Sequence, residues 1–366
     1  FEVVVDDREV AAGRVNVESG VVRMHDELST ASREREQESA VSFARALWNA
    51  IRFPLEGSGL VWFAAVVTLM VVFPFRRPLS MQSLDVLVMV SLFPLSLVVW
   101  QHTLHTYVML FILSAYLLCR CLHRSFRRSA NIEPPNLHTA ALLGALVIVF
   151  AAHVQAIFTR GPDDSGIWTV FGGQYVWEQG QLPYGQIGEG GTYGPVLYAI
   201  AAPLTHVAPP TASVGEQGEH MLVTMHNFEE VGYRDCDFLP AKILALAFDI
   251  ALLLGLVIIG RQESSWDVGL AMALVYAVNG LTIQRDLLFV SHLAPTACVI
   301  LANAARRMPA LSGILLALGA GVLFWPAFLI PTWLAYFASR GRAALVRTSI
   351  AIAVVGVTTI AAVHQY

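Results

Sequence analysis

The chain has 366 residues, of which 56% are hydrophobic and 14% are charged, and its formal net charge is −4. Soluble globular domains carry about 25% charged residues, so the composition excludes an ordinary soluble domain and indicates an integral membrane protein. The small negative charge also argues against a nucleic-acid partner, because nucleic-acid-binding surfaces are strongly basic.

Residues 1–57 precede the first long apolar run and are predicted to form an extramembrane tail. Valines alternate in its first part as they do in strands, and its second part is charged and helix-like. The chain starts at Phe1, which is not a methionine, and stops at Tyr366 directly after an apolar run. We therefore expect a piece of a longer protein.

Long apolar runs dominate the remainder of the chain. Runs of about 18 or more residues can cross a bilayer as helices, which satisfy their backbone hydrogen bonds internally. Such runs are predicted at residues 58–76, 83–100, 104–122, 138–158, 239–260, 266–283, 287–304 and 343–363. The stretch 309–338 has Trp325-Pro326 in its middle, which predicts two short helices meeting at a turn. The sequence thus predicts an all-α polytopic protein with about ten transmembrane helices.

The arginines predict the orientation of these helices. Arg120, Arg124, Arg127 and Arg128 cluster between two runs, and the positive-inside rule places this cluster in the cytoplasm. The run at 138–158 then leads outward, and the long loop 159–238 and Arg285 lie on the extracytoplasmic side. Prolines make residues 193–207 a helix that lies on or dips into the outer membrane surface. Residues 58–137 are accessory helices, and 138–366 form the core.

Two carboxylates open the large loop, in Gly161-Pro162-Asp163-Asp164-Ser165-Gly166. A carboxylate that accepts a proton and a guanidinium that binds phosphate are the minimum parts for transferring a group from a lipid phosphate. Asp164 is the candidate base, Asp163 its partner or merely its neighbour, and Arg285 the candidate phosphate ligand. The alternative for Asp164 is a capping or solvated carboxylate at a helix end.

Asp249 lies inside the predicted span 239–260, where a carboxylate costs about 2.5 to 3.5 kcal/mol unless it meets a polar partner. A structural bond to Asn279 or to a serine on another helix is as plausible as a role in a site. The histidines and carboxylates at residues 220–237 have no recognised metal-ligand spacing and indicate a solvated acidic loop. No metal or cofactor is predicted.

The order of short motifs after Asp164 is similar to that in a known family. Gly172-Gly173 is followed by Leu182-Pro183-Tyr184-Gly185, Thr192-Tyr193-Gly194-Pro195 and, in the next span, Phe248-Asp249-Ile250-Ala251. The loop motifs resemble the first extracytoplasmic loop of the C-type (GT-C) integral-membrane glycosyltransferases, above all the polyprenyl-phosphate-mannose-dependent family 87 and its bacterial relatives. The motif around Asp249 resembles that family's Asp-Leu-Leu helix. The resemblance covers residues 138 to about 335.

The resemblance implies an inverting hexosyltransferase of the bacterial cell envelope. Its donor would be a sugar, such as mannose, on a polyprenyl phosphate in the membrane, and its acceptor a glycan or lipid at the extracytoplasmic face of the plasma membrane. Asp164 would be the general base, and Tyr184, Tyr193 and Asp249 would bind substrates. Arg285 is a further candidate for substrate binding, as the phosphate ligand, but it does not match a residue of the family. The chain departs from the family at two places. Gly190-Gly191-Thr192 lacks the acidic residue that the relatives often carry, and Leu323-Phe324-Trp325 stands directly before Pro326, where the relatives have a lysine.

Two other functions fit the same sequence. A transporter or flippase of lipid-linked precursors would use Asp249 and the proline-broken helices as its pathway. A non-catalytic scaffold for envelope enzymes would explain the missing late lysine. Only the enzyme requires a product that depends on Asp164.

The arginine pattern yields a topology prediction. In a variant whose native cysteines are replaced, a cysteine at Ser125 should be shielded from an impermeant thiol reagent in intact cells. A cysteine at Ser213 should be labelled. Equal labelling at the two positions would overturn the orientation and would leave Asp164 on the wrong side for the proposed acceptor.

Overall fold

The computed structural model describes residues 58–98, 104–126, 134–159, 164–185, 193–210, 235–279 and 290–364. The regular elements of these ranges are helices, and no β-strand occurs among them. The chain divides into two compact units, Phe1–Gly59 with Pro94–Phe126 and Leu60–Phe93 with Arg127–Tyr366. The all-α prediction is confirmed for the described residues.

Twelve α-helices are numbered here in chain order. They are α1 (Ser58–Val72), α2 (Met81–Val98), α3 (Leu104–Phe126), α4 (Thr139–Thr159), α5 (Asp164–Gln179), α6 (Pro195–Val207), α7 (Leu239–Glu263), α8 (Trp266–Ala277), α9 (Val290–Ala304), α10 (Pro309–Val322), α11 (Ile330–Ala338) and α12 (Arg342–His364). Short 3₁₀ turns precede α7 at Asp235–Phe238 and α11 at Trp325–Leu329.

In the first unit, the main described element is α3. This helix continues to Phe126, so Arg120 and Arg124 lie on its last two turns and not in a loop as the sequence analysis had placed them. Arg127 and Arg128 lie outside the described residues. The helix extends beyond the apolar run because arginine and leucine are both good helix formers.

Among the described residues of the second unit, three helices are long and apolar enough to cross a membrane: Thr139–Thr159 in α4, Leu239–Glu263 in α7 and Arg342–Val363 in α12. Half of the apolar window of α7 is buried in the protein, whereas only 11% of that of α12 is. α7 therefore occupies the centre of the unit, and α12 presents most of its apolar side chains outward. The expectation of about ten spans is not confirmed.

Several expected spans are shorter helices. α8 has 12 residues and α9 has 15, which correspond to lengths of about 18 and 22 Å, less than the roughly 30 Å of a hydrocarbon core. The break predicted in the stretch 309–338 is confirmed, because α10 ends at Val322 and Pro326 lies in the 3₁₀ turn that leads to α11.

The segment between α4 and α7 is not a loop throughout. The helix α5 was not predicted from the sequence. It packs along α6 and buries Ile167, Trp168 and Phe171 in the core of the unit. Its composition is mixed, with polar Gln174 and Glu178 in its last turns, so hydropathy alone does not reveal it. The helix expected within residues 193–207 is present as α6, and its position at a membrane surface stays a prediction.

Glycines allow close helix contacts at both faces of α6. A Cβ at Gly172 on α5 would overlap the ring of Tyr198, which is completely buried. Gly194 is the N-cap residue directly before α6. Its N–H donates to the carbonyl of Val322 at 2.8 Å, and a Cβ there would overlap the carbonyl of Gly321 on α10. These two motif glycines therefore have a packing role, because α6 could not approach α5 and α10 with larger residues.

Gly194→Ala should consequently destabilise the protein by about 1 to 3 kcal/mol, the usual effect of overpacking a tight contact. Gly144→Ala is the matched control, because nothing lies within 4 Å of a Cβ at Gly144 on α4. The control should be neutral or slightly stabilising, since alanine is the better helix former. Thermal unfolding in detergent measures both, and similar midpoints would contradict the packing role of Gly194.

Candidate functional site

Asp164 is the first residue of α5, five positions after the end of α4. The helix that it starts is fixed from its first turn, because Ser165, Ile167 and Trp168 are buried. The structure thus places the backbone of residue 164 at the start of a helix whose first described turn is anchored in the core.

Three candidate residues fall partly or wholly outside the description. Asp163 and Arg285 lie outside the described residues, and for Asp164 only the backbone is described. The histidines and carboxylates of the acidic loop before Asp235 are also outside them. In the ranges that the structure describes, no three His, Cys, Asp or Glu side chains gather as metal ligands would.

The two candidate tyrosines lie next to each other. The hydroxyl of Tyr184 donates to the backbone carbonyl of Tyr193 at 3.0 Å, and the Tyr184 ring meets that of Tyr198 edge-on at 6.2 Å between centroids. Burial raises the pKa of the Tyr184 phenol to about 12, so it keeps its proton and donates at every physiological pH. This bond ties Tyr184, which follows α5, to Tyr193, which precedes α6, and gives Tyr184 a structural role.

Asp249 is completely buried on α7, and its partner is His153 on α4. The Asp249 Oδ2 atom lies 2.8 Å from the His153 Nδ1, and the His153 Nε2 lies 2.9 Å from the carbonyl oxygen of Ala277 at the end of α8. The pair therefore joins three helices. The sequence predicted a bond from Asp249 to Asn279 or to a serine. The Oδ2 atom of Asp249 instead contacts His153.

The second carboxylate oxygen of Asp249, Oδ1, is buried and has no hydrogen-bond partner in the part of the chain that the structure describes. An ionised carboxylate without partners inside a protein is strongly disfavoured. The described contact of the Asp249 carboxylate is made at its other oxygen, Oδ2, with His153.

His153 was not predicted from the sequence as the partner of Asp249. Its signal was available, since His153 is the one titratable residue within the 21-residue apolar helix α4. Asp249 lies in the apolar middle of α7, whose other titratable residues, Lys242, Arg261 and Glu263, are near its ends. Two isolated polar residues in separate apolar helices predict a pairing, because each needs a polar partner. The sequence does not say which residues pair.

Lys242 adds a cation near the start of α7. It is the only lysine of the chain. Its Nζ atom lies 3.4 Å from the carbonyl oxygen of Phe158, one residue before the end of α4. Phe158 precedes Asp164 by six residues, so the Cα atoms of these two residues are within about 22 Å of each other. Lys242 is therefore at the end of the bundle where α5 begins.

Comparison with known proteins gives no further guide to this site. No family model, no curated protein and no solved structure matches the chain.

The burial of Asp249 generates a stability prediction. Asp249→Leu should lower the free energy of unfolding by about 1 to 3 kcal/mol, because it leaves the His153 Nδ1 atom buried without a partner. Asp267→Leu is the control, because Asp267 on α8 also contacts α4, through Thr139, but in an exposed position. It should cost less than about 1 kcal/mol. Equal thermal shifts in detergent would mean that the buried pair contributes no more than the surface contact.

Proposed function

We propose that the protein is an integral membrane glycosyltransferase that moves a sugar from a polyprenyl phosphate to an acceptor at the extracytoplasmic face. The observation that carries the proposal is the position of Asp164 at the first turn of a helix anchored in the core. Three helices able to cross a membrane support a lipid-linked donor. The motif resemblance supplies the reaction class.

The proposed reaction is a single displacement with inversion. Asp164 accepts the proton of an acceptor hydroxyl while the hydroxyl oxygen bonds to the anomeric carbon of the sugar. The bond between that carbon and the phosphate oxygen breaks, and polyprenyl phosphate leaves with the electron pair. The leaving group gains negative charge, so a nearby cation stabilises the transition state more than protonation would.

Two cations are candidates for the leaving phosphate. Arg285 is the candidate from the sequence, and Lys242 is a candidate because its Nζ atom contacts the end of α4, the helix that precedes α5. The contact of its Nζ with a helix carbonyl uses one of the three ammonium donors and leaves two for a phosphate. Lys242 thus offers a replacement for the family lysine that is absent before Pro326.

Asp164→Asn should reduce transfer by about 100-fold or more, because asparagine keeps the size of the side chain but cannot accept the proton. The assay uses membranes containing the full chain and a panel of radiolabelled polyprenyl-phosphate hexoses. Asp163→Asn is the matched control and should retain transfer. Loss in Asp163→Asn alone would move the base by one residue, and full activity of both variants would refute the mechanism.

The same assay separates the cations. Lys242→Gln and Arg285→Gln remove one positive charge each, and the residue that contacts the phosphate should show both weaker donor binding and slower transfer. If neither variant changes donor binding or transfer, that result would contradict a cation-assisted departure of the phosphate.

A transporter of lipid-linked precursors is the second candidate. It is favoured by the His153–Asp249 pair, because titratable residues inside apolar helices mark ion and substrate pathways in membrane proteins. A transporter would move the labelled lipid across vesicle membranes without forming a product and independently of Asp164. A non-catalytic scaffold would neither move the labelled lipid nor form a product.

A further inference from the structure

Contacts between helix ends hold one end of the second unit together. Four hydrogen bonds make these contacts: that of Thr139 with Asp267, of Gln262 with the Ala304 carbonyl, of Thr348 with the Pro309 carbonyl and of Asn136 with the Phe73 carbonyl. They bring together the starts of α4, α8 and α10, the ends of α7 and α9, and the first two turns of α12. The turn between α1 and α2 reaches the same end through Asn136, which lies three residues before α4.

Every arginine that the structure describes in the second unit lies at this end. They are Arg76 and Arg77 after α1, Arg261 near the end of α7, Arg306 and Arg307 between α9 and α10, Arg340 between α11 and α12, and Arg342 and Arg347 in the first two turns of α12. The described carboxylates at this end are Asp85, Glu263 and Asp267, of which Glu263 contacts Arg306. Positive charge is in excess, and we call this region the basic end.

Large apolar side chains are exposed among these arginines. About half or more of the surface is exposed in each of Phe75, Leu79, Trp266 and Met308. The guanidinium of Arg261 lies 4.3 Å from the centre of the Trp266 ring, and that of Arg340 lies 4.8 Å from the centre of the Tyr336 ring. An aromatic ring beside a charge suits the boundary between lipid headgroups and hydrocarbon, where one part of the side chain meets apolar chains and the other meets water.

The helix α12 shows where the charged region stops. Arg342 and Arg347 are exposed on its first two turns, whereas residues 348–363 include no charged residue and expose apolar side chains from Ile350 onward. The helix α10 repeats the pattern, because two arginines precede it and residues 309–322 carry no charge. Both helices therefore change from charged to apolar at the basic end, as helices do where they enter a bilayer.

We propose that the basic end is a docking surface for anionic phospholipids, in which the arginines contact headgroup phosphates and the exposed apolar side chains insert between the lipids. The orientation predicted from the arginine pattern places this end at the cytoplasmic leaflet, whose anionic lipids attract basic residues. Charge complementarity selects the lipid class. The apolar side chains favour a bilayer over a soluble anion, which would leave them in water. The surface does not depend on the transferase or transporter proposals.

The experiment titrates phosphatidylglycerol into the purified full chain, in micelles of neutral detergent and phosphatidylcholine, and records the thermal unfolding midpoint. A lipid that binds the folded protein raises this midpoint. Phosphatidylglycerol should raise it more than the same amount of added phosphatidylcholine does. The difference should shrink when salt is increased from about 50 to about 500 mM, because salt screens surface charges. An equal rise with both lipids would overturn the proposal.

Inorganic phosphate distinguishes a lipid surface from a site for a soluble anion. At matched ionic strength, phosphate should leave the unfolding midpoint where chloride leaves it. A rise as large as that with phosphatidylglycerol would show that the headgroup anion alone is bound, and it would overturn docking of a lipid.

A triple variant locates the lipid on the basic end. Arg307→Gln, Arg342→Gln and Arg347→Gln together remove three exposed charges. Each basic residue at an anionic surface strengthens binding by about fivefold, so the variant should need up to about 100 times more phosphatidylglycerol for the same rise. The matched control replaces the same three arginines with lysine, keeps the charge and should titrate close to wild type.

A glutamine variant that titrates like wild type would place the lipid elsewhere and would overturn the proposal. The comparisons of lipids, salt and inorganic phosphate use wild type alone. They therefore test the proposal even if a variant fails to fold.

Discussion

The contact of His153 with Asp249 is the interaction on which the second unit most depends. It is completely buried, and it joins the long helices α4 and α7, while the other ring nitrogen holds the end of α8. Apolar contacts between helices are non-directional and tolerate rotation. A hydrogen bond to a buried carboxylate does not tolerate such rotation, since breaking it leaves a charge that costs about 3 to 5 kcal/mol. The pair therefore fixes how α4 faces its neighbours, and α5 follows from α4 after only a few residues.

Small residues impose the second constraint. Gly172 and Gly173 let α6 lie close to α5, and Gly194 lets its first turn reach the end of α10, where the N–H of Gly194 satisfies an unpaired helix carbonyl. Gly180, with φ of +66°, ends α5 in a conformation that other residues adopt rarely. Most glycines of the motif succession thus have packing or capping roles. The motif therefore indicates how this segment folds. Catalysis, in contrast, would depend on the carboxylates and cations at the ends of the segment.

Much of the fold could be predicted from hydropathy. α4, α7 and α12 begin and end within a few residues of their predicted runs, and the break at Trp325-Pro326 follows from proline chemistry. α5 could not be predicted this way, because its burial arises from contact with α6 and not from a continuous apolar sequence.

The candidate site was predictable to a smaller extent. Asp249 stood out because a carboxylate in an apolar run must have a partner, and Tyr184 and Tyr193 proved to be neighbours. The identity of the partner is a question of which helix faces Asp249, and spacing along one chain does not answer it. The contact of Lys242 with Phe158 could not be predicted from spacing either, because the two residues are 84 positions apart in the chain.

The most direct test of this account is the coupling energy between His153 and Asp249. Thermal or chemical unfolding would be measured for wild type, His153→Leu, Asp249→Leu and the double variant at one pH. The account predicts that His153→Leu is the most destabilised, because it leaves the carboxylate unpaired, and that adding Asp249→Leu restores much of the loss. Destabilisations that simply add would show that the two side chains act independently and would contradict the central place given to their bond.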